Sequence, residues 1–217
     1  MAQALDDLLD SLEDADDATR EEAAKALAEL ANPATLDALI GACGDEFWSV
    51  RTRAGWGVAK IGGPKAIEAL IVLFNDPIME VRNEAVAAVV SLGAGQLDRL
   101  LAAMKDERWR VREHAAKACG DLHDSRAVDA LIFACRDRDG AVKSAAAEAL
   151  GKIGDPKAIP ALVKLFRDSS KIVRETAGIA LVAIGQPSVD LLLETLKDKD
   201  FVVRCHAARA LGGMTTD

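Results

Sequence analysis

The hydrophobic and polar positions of this chain recur in blocks at helical spacing. One such block lies within residues 168–185, where apolar and small residues fall at offsets of 0, 4, 7, 8 and 11. These residues are Val173, Ala177, Ala180, Leu181 and Ile184. The offsets mark one face of an α-helix. A second apolar pattern precedes it at Ile159, Leu162 and Val163, so the chain is predicted to alternate between a helix A and a helix B.

A pair of charged residues repeats along the whole chain with the helices. An aspartate is followed six residues later by a basic residue, and successive copies lie 31, 31, 30, 31, 31 and 30 residues apart. The acidic members are Asp14, Asp45, Asp76, Asp106, Asp137, Asp168 and Asp198. The basic members are Arg20, Arg51, Arg82, Arg112, Lys143, Arg174 and Arg204. A fixed period of this length predicts a stacked array of repeats.

The period predicts an all-α fold, a right-handed α-solenoid of seven two-helix repeats with about fourteen helices. No linker interrupts it, so residues 1–217 are predicted to form a single repeat domain. Its units run over about 1–31, 32–62, 63–93, 94–123, 124–154, 155–185 and 186–217. Turn signals such as Gly154-Asp155-Pro156 separate them. One helix pair cannot bury its own apolar face, so stacking must complete the core.

The repeated aspartates and arginines are predicted to be structural. Each aspartate precedes a B helix, where a carboxylate can accept backbone N–H groups. Each arginine lies beside the buried stripe and can reach the aspartate of its own or of an adjacent unit. Such pairs would form a ladder along the array. Residues that perform chemistry would not be expected in seven copies.

The repeated unit, seen in DRDGAVKSAAAEALGKIG at residues 137–154, resembles HEAT-like repeats of the phycobilisome-lyase type. The resemblance covers essentially the whole chain and implies a curved α-solenoid whose B helices line a concave face. Related proteins include bilin lyase subunits, phycobilisome-degradation factors and deoxyhypusine hydroxylase. The motif is the scaffold itself, so the resemblance implies the fold far more strongly than an activity.

Composition narrows the range of functions. The net charge of −8 argues against a general nucleic-acid binder, which usually presents a basic patch. No apolar run is long enough to predict a transmembrane helix, and the acidic N-terminal stretch is not expected to be a signal peptide. The four cysteines lack CxxC spacing and are expected to be reduced thiols in a cytoplasmic protein.

No enzyme signature or cofactor motif is evident. The hydroxylase relatives carry His-Glu pairs that ligate iron, but none of His114, His123 and His206 is followed by glutamate. A metal-dependent hydroxylase is therefore disfavoured, and no metal site is predicted. Cys205 and His206 are expected to be an exposed, solvated pair, because adjacent residues on a helix point in different directions.

Candidate binding residues are those that the repeat does not dictate. Trp56 and Ile179 lie at an outward position where solubility alone would favour a charge. Trp56 lies between Gly55 and Gly57, and an exposed tryptophan is a typical binding anchor. Alternatively, Trp56 packs onto the neighbouring B helix. The predicted partner-binding set is Trp56, Arg53, Lys60, Asn83, Ala87, Val90, Glu113, Lys117, Glu175, Ile179 and Val182.

Two further apolar features lie at the starts of the B helices and in the last helix. Trp48 and Trp109, with Met79 and Phe201 at equivalent places, are expected to pack into the turn between helices A and B. The last helix has no successor, so its apolar edge, including Leu211 and Met214, predicts self-association through the C-terminal end.

The sequence thus predicts a non-catalytic scaffold that binds a protein or peptide on the B-helix face, without cofactor, nucleic acid or membrane. The alternative function is a bilin lyase subunit or another phycobilisome-associated factor, as the resemblance implies.

Overall fold

The computed structural model describes residues 2–214 and contains, within that range, fourteen α-helices and no β-strand. The A helices are α1 (Ala2–Ser11), α3 (Leu36–Ala42), α5 (Pro64–Leu73), α7 (Leu97–Ala103), α9 (Val128–Ala134), α11 (Ile159–Lys164) and α13 (Val189–Thr195). The B helices are α2 (Asp17–Leu30), α4 (Trp48–Ile61), α6 (Met79–Ser91), α8 (Trp109–Asp121), α10 (Gly140–Ile153), α12 (Lys171–Ile184) and α14 (Phe201–Gly213). The predicted α-solenoid of two-helix repeats is confirmed.

The starts of most A helices are built in two stages. A single 3₁₀ turn comes first, as at Pro33–Thr35 and Pro156–Ala158, and the α-helix follows directly. The carboxylate of Asp155 accepts the N–H of Lys157 at 2.8 Å and so caps this turn. Proline suits the first position because the N–H that it lacks has no partner within the helix.

The loops between A and B helices are held by the repeated aspartates. Oδ1 of Asp45 accepts the N–H of Phe47 at 2.8 Å, and Oδ1 of Asp76 accepts the N–H of Ile78 at 2.8 Å. The same bond spans two residues at Asp106, Asp137, Asp168 and Asp198. A carboxylate that accepts a backbone N–H two residues ahead fixes a turn, so each loop enters its B helix at a defined angle.

The chain divides into two compact units, residues 1–99 (unit 1) and residues 100–217 (unit 2). In unit 1, α2 packs against α4, and α4 packs against α6. In unit 2, α8, α10, α12 and α14 pack in succession. The apolar stripe of the B helices forms each core, and Phe74 and Phe166 from the ends of A segments are fully buried in units 1 and 2.

The expectation that the residues at the starts of B helices pack inward is wrong. Trp48 is 47% exposed and Met79 is 56% exposed, and Trp109 and Phe201 are exposed as well. All four are the first residues of α4, α6, α8 and α14. At that position the side chain projects from the end of the helix and away from the stripe that faces the core.

Within residues 2–214, no single helix has the length and apolar character needed to cross a membrane. In the part of the chain that the structure describes, one pair of segments, Met79–Ser91 and Ala94–Ala103, meets the two criteria when taken together across a sharp bend.

Candidate functional site

The charged ladder joins α2, α4, α8 and α10 to the loop of the next repeat. Arg51 on α4 donates from Nε to Oδ2 of Asp76 at 2.6 Å and from Nη2 to Oδ1 at 2.9 Å. Its Nη1 also donates to the carbonyl oxygens of Asp45 and Glu46, at 2.8 and 3.0 Å. One guanidinium therefore ties its own loop to the next loop. A planar fork that satisfies a carboxylate and two carbonyls is a geometry that arginine provides and lysine cannot.

The same arrangement recurs in both units. Arg20 pairs with Asp45 at 2.8 Å, and Arg112 pairs with Asp137 at 2.7 Å. Lys143 bonds Asp168 in the corresponding place. Burial alone would raise the pKa of Asp45, but hydrogen bonds from Arg20 and from the N–H of Phe47 outweigh burial and hold the pKa below its ordinary value. These links keep the aspartates ionised and hold successive loops together.

Several ladder positions have other partners. The carboxylate of Asp106 is bound by Arg108 at 2.8 Å, and Asp198 is bound by Arg167. Arg82 and Arg204 donate from Nη1 to the carbonyl oxygens of their own loops, at Asp76 and Asp198. Within the described residues, Nε of Arg82 is buried without a hydrogen-bond partner.

A groove between α12 and α14 brings together three of the predicted binding residues. Glu175, Ile179 and Val182 line a cavity of about 440 Å³. Sequence reasoning missed its other walls, which are Gly178, His206, Arg209, Ala210 and Gly213. Ile179 is 71% exposed within this groove. An isoleucine that remains accessible beside small residues leaves room for an apolar side chain from another molecule.

The groove follows from a difference between neighbouring helix contacts in unit 2. A Cβ added at Gly120 would lie 2.7 Å from Ala149, and one added at Gly151 would lie 2.8 Å from Ala180. The helices α8, α10 and α12 therefore approach each other closely at glycine. The equivalent position in α12 is Val182, and we attribute the opening beside α14 to its larger side chain.

His206 forms the floor of the groove, and the expectation that it is exposed is wrong. Its ring is buried and stacks on Phe166 with centroids 5.5 Å apart. Nε of Arg174 lies 3.3 Å from Nε2 of His206. Burial lowers the pKa of His206, and the charges of Arg174 and Arg209 lower it further. The neighbouring Cys205 is half-buried, so the two residues do not form a solvated pair.

Trp56 shows features of both predictions, an exposed binding anchor and a side chain that packs onto the neighbouring B helix. Its side chain is half-exposed, and its indole N–H donates to Oε2 of Glu84 on α6 at 2.9 Å. The flanking glycines serve packing: a Cβ at Gly57 would lie 2.9 Å from Leu39, and one at Gly55 would lie 3.2 Å from Leu73. The indole is thus fixed across α4 and α6, with one part of its surface left in contact with solvent.

The other predicted residues are distributed over both units. In unit 1, Arg53, Lys60, Asn83 and Ala87 are exposed and Val90 is half-buried. Arg53 lies 3.3 Å from Glu21, which offsets part of its charge. In unit 2, Glu113 and Lys117 bond each other at 2.7 Å along α8. That pair lies outside the lining of the α12–α14 groove.

Among residues 2–214, no cluster of three or more His, Cys, Asp or Glu side chains could hold a metal ion. Burial raises the pKa of Cys43, Cys119 and Cys135 to about 12, which keeps these thiols protonated and unreactive. All four cysteines are free.

These features define a helical repeat protein with a surface groove. Residues 5–90, 97–182 and 163–217 match the family model for HEAT repeats, and the chain belongs to that family. No curated protein sequence gives a significant match.

Two solved structures illustrate the likeness. A chain in the complex of CpcE and CpcF of phycocyanin lyase from Nostoc sp. PCC7120 is 26% identical, with a TM-score of 0.56 over 68% of this chain and 98% of that chain. It confirms the predicted resemblance to HEAT repeat proteins of the phycobilisome-lyase type. Yeast importin-β (Kap95p) is 16% identical with a TM-score of 0.65, over 98% of this chain and 35% of that chain. At this identity the second likeness shows the fold alone.

Proposed function

We propose that the protein is a non-catalytic interaction scaffold that binds a partner protein or peptide on its B helices, with the α12–α14 groove as the principal contact. The proposal rests above all on Ile179, which is 71% exposed in a groove of about 440 Å³. Burying an isoleucine side chain stabilises a complex by about 1.5–3 kcal/mol before the costs of association are subtracted. A partner that covers Ile179 would gain this contribution.

The lining of the groove defines the chemistry of its occupant. Gly178 and Gly213 contribute no side chains, so a partner backbone can approach closely there. Arg209 is exposed and forms no ion pair with a described residue, while Glu175 lies 3.6 Å from Lys171. An apolar segment of a partner would pack against the walls of the groove, and a carboxylate on that segment would pair with Arg209.

A matched pair of variants on α12 tests this site. Ile179→Lys places a charge inside the groove, whereas Ile172→Lys places the same charge on the same helix at a side chain that is 67% exposed outside the groove lining. Peptides selected from a random phage-displayed library on the native protein should bind Ile172→Lys normally and lose affinity for Ile179→Lys by about tenfold or more. Equal loss of binding in the two variants, or equal retention, would contradict the assignment of the groove.

Trp56 is proposed as a separate contact in unit 1. Its bond to Glu84 holds the ring in place before binding, which reduces the entropy lost on association. Trp56→Phe removes this bond but keeps an aromatic surface, and Trp56→Ala removes both. If Trp56 contacts a partner, the selected peptides should bind Trp56→Phe and Trp56→Ala with different affinities. This difference in affinity should remain the same when Ile179→Lys is added to both variants.

A second candidate function is a bilin lyase subunit. It is favoured by the likeness to a chain of the CpcE–CpcF phycocyanin lyase complex, which extends over 98% of that chain. Adding a bilin to the purified protein, alone and with a candidate partner subunit, should then change the bilin's absorbance spectrum. A spectrum that remains unchanged under both conditions would count against this function. We place either function in the cytoplasm, in keeping with the four free cysteines.

A further inference from the structure

Three consecutive loops of unit 1 carry acidic side chains, and the second and third also carry exposed large apolar side chains. The loops join the A and B helices of the first three repeats, and they comprise residues 13–17, 45–48 and 76–80. We refer to them together as the unit 1 edge. None of its residues belongs to the α12–α14 groove, so the inference is independent of the function proposed above.

The apolar part of the edge comes from two successive repeats. Phe47 and Trp48 stand at the start of α4, and Ile78 and Met79 stand at the start of α6. All four side chains are between 36% and 56% exposed. Because α4 packs against α6 and packed helices lie about 8–10 Å apart, the two pairs are neighbours on one surface. Four large accessible apolar side chains in neighbouring loops form a patch of the kind that binds other molecules.

All the charged residues of the unit 1 edge are acidic. Its loops contain no lysine, arginine or histidine. Their acidic residues are Glu13, Asp14, Asp16, Asp17, Asp45, Glu46, Asp76 and Glu80. The contrast extends to the whole of each unit: residues 1–99 carry eighteen acidic and eight basic residues, whereas residues 100–217 carry seventeen and nineteen.

The arginines behind the edge do not neutralise its outer charges. The side chains of Arg20 and Arg51 are 8% and 10% exposed. Their guanidinium groups already bond Asp45 and Asp76, respectively, and carbonyl oxygens of the loops. The side chain of Glu46 remains 79% exposed, although Nη2 of Arg20 lies 3.4 Å from it. Glu80 is exposed and forms no ion pair with a described residue. Arg82, half-buried behind the third loop, donates from Nη1 to the carbonyl oxygens of Asp76 and Pro77. The edge carries eight acidic side chains against these three arginines, so its outward field is negative.

The same ladder bonds make the edge rigid. Each loop is fixed by its aspartate to a backbone N–H two residues ahead, and Arg51 joins the second loop to the third. A surface that is ordered before binding loses little conformational entropy when a partner arrives. The edge thus presents its apolar and acidic side chains from loops whose backbones are held in place.

We infer that the unit 1 edge is a docking surface for a basic segment of another protein, one in which Lys or Arg alternates with large apolar side chains. The apolar residues of such a segment would cover Trp48 and Met79, and its cations would lie against Glu46 and Glu80. The like charge of an acidic segment would oppose binding. Binding should weaken as the salt concentration rises, since exposed charges are screened.

Fluorescence anisotropy with three labelled synthetic peptides tests this inference. The first alternates Lys and Leu, the second replaces Lys with Glu, and the third replaces Leu with Ser. The protein variants are Trp48→Ala with Met79→Ala, and Glu46→Lys with Glu80→Lys. Phe201→Ala is the matched control, because Phe201 is the first residue of α14 and is likewise exposed.

The Lys-Leu peptide should bind the native protein and Phe201→Ala alike, and each double variant should weaken its binding by about tenfold. The other two peptides should bind much less tightly to the native protein. Equal binding of the Glu-Leu peptide, or unchanged affinity in Glu46→Lys with Glu80→Lys, would overturn the inference. A dimer seen by analytical ultracentrifugation without peptide, and abolished by Trp48→Ala with Met79→Ala, would assign the edge to self-association instead.

Discussion

Arg174 donates from Nε toward Nε2 of His206 at 3.3 Å, at a point in the ladder where other arginines meet an aspartate. A guanidinium can only donate, so Nε2 of His206 must accept and its ring must be neutral, with the proton on Nδ1. Stacking on Phe166 fixes the plane of the ring. This link of the ladder therefore depends on an uncharged histidine, whereas the aspartate links depend on a charged carboxylate.

We expect this link to make stability depend on pH. Burial holds the pKa of His206 below its ordinary value of 6.5, the charges of Arg174 and Arg209 lower it further, and Glu175 acts in the opposite direction. The unfolded chain takes up a proton near pH 6.5 while the folded chain does not, so the free energy of unfolding falls as the pH falls through that value. Below the folded-state pKa both states are protonated, and this contribution stops changing.

Urea denaturation at about pH 7.5 and about pH 5.5 measures the effect. His206→Gln keeps a neutral acceptor and should reduce the loss of stability between the two pH values. Asp45, Asp137 and Asp168 of the ladder, whose pKa values are lowered from the ordinary value of 3.8, contribute only at lower pH. An equal loss in native protein and variant would show that His206 is not the group responsible.

The Arg51–Asp76 link should be among the most sensitive positions in unit 1. Both side chains are buried, and their closest atoms lie 2.6 Å apart. Arg51→Ala leaves the carboxylate of Asp76 buried without its partner, which should lower the free energy of unfolding by about 3–5 kcal/mol. Arg51→Met with Asp76→Asn should cost less than Arg51→Ala, because no buried charge is left unpaired.

The exposed pair of Lys65 and Asp37 is the control for this measurement. Its side chains are 67% and 78% exposed, so Lys65→Ala should change the free energy of unfolding by less than about 1 kcal/mol. Similar losses for Arg51→Ala and Lys65→Ala would refute a special role for the ladder.

Gly120 and Gly41 should respond in opposite directions to substitution by alanine. A Cβ at Gly120 would lie 2.7 Å from both Cα and Cβ of Ala149, so Gly120→Ala forces α8 and α10 apart and should cost about 1–3 kcal/mol. Nothing lies within 4 Å of a Cβ at Gly41, so Gly41→Ala should stabilise α3 by about 0.5–1 kcal/mol. Thermal melts of the two variants provide the comparison, and a stabilised Gly120→Ala would contradict the close approach of the two helices.

Ile179→Lys should affect binding and leave folding almost unchanged. The side chain is already 71% exposed, so replacing it removes little buried surface, and the free energy of unfolding should change by less than about 0.5 kcal/mol. Chemical denaturation of this variant therefore establishes whether its loss of affinity arises at the groove. A large drop in stability would mean that Ile179 supports the core.

The periodic part of the fold was predictable from the sequence because it repeats a local rule. The helical stripe around Val173 and the aspartate before each B helix recur with little change, so one repeat explains the others. The exposure of Trp48 was not predictable from this rule. The side chain at the first position of a helix does not follow the buried and exposed faces that helical spacing defines. Its direction is set only by the angle at which the preceding loop enters the helix.

The groove was predictable only in part. Ile179 and Val182 could be recognised as apolar residues at outward positions, but the burial of His206 depends on Phe166 from a preceding segment, and no spacing rule relates the two. One signal was available: the series Gly120, Gly151, Val182 replaces glycine with a larger residue at a helix contact. Comparing side-chain size at equivalent positions would have indicated where neighbouring helices separate.

The ladder also bears on how an array of this kind can change length. A repeat such as residues 45–75 supplies one aspartate to the arginine before it and one arginine to the aspartate after it. Duplication or loss of one complete period in the gene would therefore join a donor to an acceptor again at the new junction. A recombination breakpoint that removed Arg51 and kept Asp76 would leave the carboxylate of Asp76 buried without its partner. Selection against such products favours growth and shrinkage of the array in whole repeats.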